Sequence, residues 1–550
     1  VFYLSSPMRF GDLPIEVIRS IASFIGWLCL TPVCRRFWQA LRLKCIRRVK
    51  EPPSIALFEK ALCHGVISIT FQLKGCDTEP RLTTTQLAPL TILSQSTTLN
   101  FLTLHFPNHN LGNGGCTQIA SLAQCRSLTS LSIDLTFNSI NDLGAHELQA
   151  LRTLPHLMQL NIDLKENEIG NGGVKGLVQL YNLPSLTNCS LGLAYNIFDC
   201  EGVKFLCEVP QPPKLRSLTL DLTGNAIDDD GIQHLCALRL VPTLTALHLN
   251  LSNVDLSEEA MQMLGGFADC SLQHLNLNLG QSNIDDEGLK YISTLRNATH
   301  LQSLSLNVME NCVGTEGLRY LRALAQIDSL KTLTLCLSSV THMADVVSDD
   351  DIFPGNLIVS DLATPLNLAT NLQCLHLCLK DTGIDDKGAY ILADSISKAT
   401  HLRRLNLCLI GNLLTVKGCT FLRDSFIKAT WLQSLCAYLK DNEFRPSDAN
   451  KLDVQQQSPT STSICTQADE SDVQEQTQDQ QKQDCWLLDG LQLPHKQIDF
   501  VTNYCECCGV ESDSELSDTD ADDDDESLEP DSTSSDADSQ NGDDHSLGED

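Results

Sequence analysis

The sequence predicts an α/β solenoid, a horseshoe with a parallel sheet on its concave side and helices outside. Three observations carry that prediction. Apolar residues recur in phase along most of the 550 residues: Leu128, Leu131, Ile133, Leu135, Asn138, Ile140 and Gly144 make one copy, and Leu157, Leu160, Ile162, Leu164, Asn167, Ile169 and Gly173 the next. Copies begin at 99, 128, 157, 186, 215, 244, 272, 301, 330, 372, 402 and 432, so that eight of eleven spacings are 28 or 29 residues. Within each copy the apolar residues alternate at period two, the signature of a short strand. Turn and helix-start residues then follow at a fixed offset, as in Asn141 to Gly144, Asp228 to Gly231 and Asp285 to Gly288. One such unit cannot bury its apolar face alone, whereas stacked units share a continuous core and leave a long surface suited to binding.

Residues 11–50 precede the array. Asp12 is placed to cap a helix, Pro14 suits its first turn, and Val17, Ile18, Ile21, Phe24 and Ile25 form one apolar stripe. Val33, Cys34, Arg35, Arg36, Phe37 and Trp38 open a second segment, and a basic run extends from Arg42 to Lys50. The Leu13-Pro14 pair, the stripe and the segment 33–38 resemble an F-box, a small helical module that docks onto a Skp-type adaptor of cullin–RING ubiquitin ligases. The resemblance places adaptor contact on Leu13, Pro14, Val17, Ile18 and Ile21, and closure of the module on Val33, Cys34 and Trp38. The chain departs from that family between the two parts: the connection is a few residues short, and Gly26 to Pro32 stand where an acidic turn is usual. The alternative reading is a plain N-terminal cap over the open end of the solenoid. The apolar run 21–30 is too short to span a bilayer.

Residues 51–98 hold a linker and a degenerate first repeat, with Val66, Ile69, Phe71 and Leu73 at the internal spacing of a strand. Residues 99–444 hold about twelve full copies. Their pattern resembles the leucine-rich repeat in its long, ribonuclease-inhibitor-like form. The usual Asn follows the third Leu by three residues, but here an additional Leu intervenes (Leu135 in the second copy), which lengthens the strand in the same phase. Asn at that place satisfies turn backbone, and Asp or Asn further on caps the helix, where negative charge suits the free N–H groups.

The outward residue before the last strand Leu forms a row: His105, Asp134, Asp163, Gly192, Asp221, Asn250, Asn278, Asn307, Cys336, Cys378, Cys408 and Tyr438. It is acidic early, amide in the middle and thiol late. The functional reading is a concave partner-binding face at His105, Asp134, Asp163, Asp221, Asn250, Asn278, Asn307 and Tyr438, selective for a basic target in its first third. The bland reading is that short polar residues are tolerated on any strand exterior, with the amides forming a stiffening ladder.

The spacing of 42 between the copies at 330 and 372 marks an insertion within 341–365, read as tolerated surface growth rather than a binding loop. Beyond residue 444 the composition changes. From Arg445 onward 29 Asp or Glu stand against 4 Lys or Arg, about −25 of the formal −32, so residues 445–550 are expected to be an acidic disordered tail. An apolar island at 485–493 with Ile498 and Phe500 is a short docking motif, a segment that folds back on the end of the solenoid, or a chance cluster. Ser512 to Glu515 and Ser517 to Asp520 resemble sites for acidophilic kinases.

The 24 cysteines do not read as a disulfide framework: Cys189, Cys207, Cys236 and Cys374 fall at or beside repeat core positions, where a thiol acts as a small hydrophobe. A reducing, cytoplasmic or nuclear setting is expected. Neither a phosphate loop, a zinc-protease His pair nor a nucleophile elbow stands in the sequence, so no catalytic residue, metal or cofactor is assigned. The charge disfavours nucleic acid and membrane surfaces. The expected function is that of a non-catalytic, monomeric substrate receptor of an SCF-type ubiquitin ligase, holding a Skp-type adaptor and a protein target. The alternative comes from repeats followed by an acidic tail, which also resemble a Ran GTPase-activating protein or another regulatory scaffold.

Overall fold

The computed structural model describes residues 45–49, 66–73, 82–208, 214–340, 354–439, 441–442, 497–498, 504–505 and 510–511. The F-box-like residues Leu13 to Trp38, and nearly all of 445–550, lie outside this set.

Fifteen strands follow one another in chain order in one parallel sheet. They are β1 Cys45–Val49, β2 Ser68–Gln72, β3 Phe101–His105, β4 Ser130–Asp134, β5 Gln159–Asp163, β6 Asn188–Gly192, β7 Ser217–Asp221, β8 Ala246–Asn250, β9 His274–Asn278, β10 Ser303–Asn307, β11 Thr332–Cys336, β12 Cys374–Cys378, β13 Arg404–Cys408, β14 Ser434–Tyr438 and β15 Gln497–Ile498. The leucine-rich-repeat solenoid expected from the 29-residue period is therefore the fold. Between β2 and β14 the register never slips: Leu131 faces Leu160, Cys189 and Leu218, and Ile133 faces Ile162, Leu191 and Leu220. A slip of one residue would turn every leucine outward, so the shared core holds the register. These side chains and those of the outer helices form one continuous buried cluster, each fully buried Leu contributing roughly 1.5–3 kcal/mol.

The additional Leu sits just past the five-residue strand, yet the ladder runs on through it. Leu135 N donates to Asp163 O at 2.8 Å, and Phe137 N to Lys165 O at 2.9 Å. The Asn that follows is buried and works between repeats. Asn138 Oδ1 accepts from His109 N and Leu111 N, while its Nδ2 donates to Phe106 O and Thr136 O. Asn167, Asn196 and Asn225 repeat the arrangement. Helix starts are capped as the sequence suggested: Asn141 accepts from Leu143 N, Asp228 from Asp230 N and Gly231 N, and Asp285 from Gly288 N. Early helices are short and run on into a 3-10 turn, as in Asp142–Leu148 with Gln149–Thr153. The late ones, Asp386–Lys398 and Val416–Lys428, are continuous over 13 residues, which accounts for the 30-residue spacings.

Three local features add to that reading. The segment 11–50 is not helical to its end, because Cys45–Val49 is a strand paired parallel with β2. The copy at 330 carries its own outer helix, Pro354–Leu368, of 15 residues, so the inserted residues precede it within 341–353, outside the described set; a Cβ on Gly355 would lie 2.6 Å from Thr382 O, so this helix packs directly under the next repeat. At the far end, Gln497 and Ile498 pair with Ser434 and Leu435, so this piece of the acidic region folds back on the last repeat.

Candidate protein-binding surface

The strand register sets the outward row side by side: His105, Asp134, Asp163, Gly192, Asp221, Asn250, Asn278 and Asn307 occupy matched positions on β3 to β10. Neighbouring strands stand about 4.8 Å apart, so the row is a continuous track. Its polar groups do one local job. Oδ1 of Asp134, Asp163, Asp221, Asn250, Asn278 and Asn307 each accepts the backbone N–H two residues on, at 3.0–3.3 Å. The amides are thus turn acceptors, one per repeat, and not the cross-strand ladder that their sequence alignment suggested.

That finding separates structure from surplus. The turn needs an oxygen acceptor, which Asn supplies at three positions. The negative charge at Asp134, Asp163 and Asp221 is not required by it. Asp134 Oδ2 pairs with His105 Nδ1 at 2.5 Å, and Asp163 sits between two like charges. Burial pushes the Asp163 carboxyl above its usual range, and the charges of Asp134 and Asp221 push it the same way against the N–H of Lys165. Gly192 makes room for it: a Cβ there would lie 2.6 Å from Asp163 Oδ1.

The rim beside this track was not anticipated from sequence. Three residues past each row position the chain turns through the left-handed region, and the residue there is usually one that tolerates it: Asn108, Gly224, Asn253, Gln281, Ser339, Asp381. Two copies instead carry exposed aromatics, Phe137 at φ 58° and Tyr195 at φ 52°, 56% and 44% accessible. Bulky side chains are unfavourable at positive φ. They flank Glu166 and stand beside the Asp134, Asp163 and Gly192 stretch of the track. Lys165 Nζ lies 5.5 Å from the Tyr195 ring centre. The missed signal was the offset of three from the acidic row.

The late end of the row differs from its expected reading. Cys336, Cys378, Cys408 and Tyr438 are buried, Cys378 completely and Tyr438 to 8% exposure, in a second apolar cluster joined by Met309, Ile410 and Cys436. Thiols on consecutive strands pack against one another and against the Tyr ring, so Tyr438 is a core residue of that end and not a surface contact. Cys189 and Cys236 are buried as expected, with burial raising the Cys189 thiol to about 12 and the Cys236 thiol to about 11. Cys374, by contrast, is only half-buried at the N-terminal edge of β12. The cysteines from Cys116 to Cys436 are free thiols, and no helix among the described residues is long and apolar enough to cross a membrane.

Residues 214–236 and 269–293 match the family described as Leucine Rich repeat. Solved structures similar to this chain include an internalin (inlF) from Listeria monocytogenes, at TM-score 0.35 and 18% identity over 71% of this chain and 88% of that one. Another is the Rad7 and Elc1 complex of yeast, at TM-score 0.40 and 16% identity over 75% of this chain and 96% of that one. No curated protein matches the chain. The repeat match and the unbroken parallel sheet make this a leucine-rich-repeat protein-interaction scaffold.

Proposed function

We propose that the chain is a non-catalytic target receptor of an SCF-type cullin–RING ubiquitin ligase, taking a basic segment of its target on the acidic track of β4 to β7. The observation that carries the target side is the surplus charge: Asp134, Asp163 and Asp221 keep carboxylates where the turn needs only an acceptor oxygen, with Phe137 and Tyr195 exposed beside them in a backbone region that disfavours both. Aromatic faces and carboxylates together suit Lys and Arg side chains. The F-box resemblance of Leu13, Pro14, Val17, Ile18, Ile21, Val33, Cys34 and Trp38 supports the adaptor side. Such a receptor does no chemistry. It raises the local concentration of a target lysine at the ubiquitin carrier.

Co-purification with the Skp-type adaptor tests the assignment. The parent chain should co-elute and a Leu13→Ala, Pro14→Ala variant should not. Failure of the parent, with the repeats intact by circular dichroism, would remove the ligase reading, and a GTP-turnover assay with a small GTPase would then decide for or against the GTPase-activating alternative. An Asp163→Lys, Asp221→Lys variant tests the track separately, by loss of basic-peptide binding.

A further inference from the structure

A second polar surface lies at the N-terminal edge of β10 to β14, where a cleft of about 820 Å³ is lined by Lys331, Arg403, Arg404 and neutral hydroxyl and amide side chains such as Ser329, Asn371 and Gln433. We infer that this cleft is a binding site for an acidic peptide segment of a partner protein, distinct from the acidic track of β4 to β7.

Charge is the first argument. The whole chain holds 70 acidic residues against 38 Lys or Arg, and some of its cations pair with carboxylates, as in Lys204 with Glu208, Lys290 with Glu287, and Lys398 with Asp394. Lys331, Arg403 and Arg404 take part in no ion pair among the described residues. Lys331 Nζ donates to Gln302 Oε1 at 3.0 Å, and an Arg403 guanidinium nitrogen donates to Thr400 O at 3.2 Å. Both partners are neutral. Asp328 is the one carboxyl in the lining. Three uncompensated cations in one cleft of so acidic a chain attract an anion.

Spacing decides which anion. The backbone fixes the row: Gln373 N donates to Lys331 O, Arg403 N to Gln373 O, and Gln433 N to Arg403 O, each at 2.7–2.8 Å. Lys331 and Arg403 are therefore two strands apart, about 10 Å at 4.7–4.9 Å per strand. A single phosphate would draw side chains from both strands inward to one point, whereas an extended chain meets them where they stand. An extended peptide rises about 3.3 Å per residue, so Asp or Glu side chains two to four residues apart bridge Lys331 and the Arg403–Arg404 pair. Guanidinium groups offer paired donors to such carboxylates, and the intervening amides and hydroxyls can bond the peptide backbone.

The test uses the full chain and a fluorescent peptide of alternating Asp and Glu, read by anisotropy at low salt. Because the chain carries its own carboxylates in solution, the titration reads the affinity that survives that competition. Arg403→Gln, Arg404→Gln, both exposed and harmless to the core, should weaken binding about tenfold or more, and inorganic phosphate should fail to displace the peptide. A Lys204→Gln, Lys290→Gln variant makes the same charge change elsewhere and should bind as the parent does. Absence of binding by the parent, equal affinity in the Arg403–Arg404 variant, an equal drop in the control variant, or ready displacement by phosphate would each overturn the site.

Discussion

Asp163 shows how one side chain can be a cost to the fold and a gain to binding. Its carboxyl titrates above the usual 3.8 because burial, then Asp134 and Asp221, oppose its charge. A raised folded value means that this group's contribution to stability is present below the unfolded value and lost as pH rises through the folded one. At neutral pH the native state therefore holds Asp163 ionised at a penalty. Asp163→Asn keeps the Oδ1 acceptor that Lys165 N uses, as Asn250 does in its own repeat, so it should raise resistance to urea at pH 7. That gain should disappear as the pH falls below about 4. The same variant should bind a basic peptide more weakly than the parent; equal urea midpoints at pH 7, or unchanged peptide affinity, would contradict the surplus-charge argument. The acidic row itself was legible from sequence, because period two fixes which residues face outward. Its meaning was not, because the turn bonds that make Asn and Asp equivalent depend on backbone geometry. The late thiols were misread for a related reason: outward on a strand is not the same as exposed when neighbours on adjacent strands are also apolar.

At the scale of the repeat, strand, buried Asn, helix cap and helix recur so regularly that a departure stands out. The left-handed turn residue is Asn, Gly, Gln, Ser or Asp in most copies, and an aromatic only at Phe137 and Tyr195. Backbone strain of this kind is of order 1–3 kcal/mol where it persists, so Phe137→Asn should stabilise the chain by about 1 kcal/mol. It should also weaken binding of the basic target that the track receives. A gain in stability with no change in binding would mark Phe137 as an accident of the surface. The buried Asn predicts the opposite sign. Asn138→Ala leaves the N–H groups of His109 and Leu111 and the carbonyl of Phe106 without this partner, while Thr136 O keeps its bond from Asn108 N; at about 1–3 kcal/mol for each unsatisfied group urea denaturation should begin at markedly lower concentration. These elements were legible because the Asn, Asp and Gly of each copy carry one conformational task apiece. The helix Pro354–Leu368 was hidden because Pro and Gly also mark turns, and only the packing of Gly355 against the next repeat makes Pro354 a helix start.

At the scale of the molecule, each described strand and helix of the solenoid packs on its neighbours in the array, so its stability is a sum of local and nearest-neighbour parts and its ends should open before its middle. The free thiols can report this without any mutation. Burial raises Cys189 on β6, and Cys419 in the helix Val416–Lys428, to about 12 alike, so the two differ little in intrinsic reactivity and both are shielded until their repeats open. Cys312 is exposed and should react at once with iodoacetamide at mildly alkaline pH. Cys419 lies next to the last repeat and Cys189 has several repeats on either side. Mass spectrometry of the folded protein under native conditions should find Cys419 modified well before Cys189. Equal rates would mean that the array opens as one cooperative body, with the terminal pairing of Gln497 and Ile498 on β14 holding the end shut as firmly as the centre. The order bears on binding, because the acidic track occupies β4 to β7. Repeats that open last keep Asp134, Asp163 and Asp221 at fixed spacing and add no ordering cost when a target arrives.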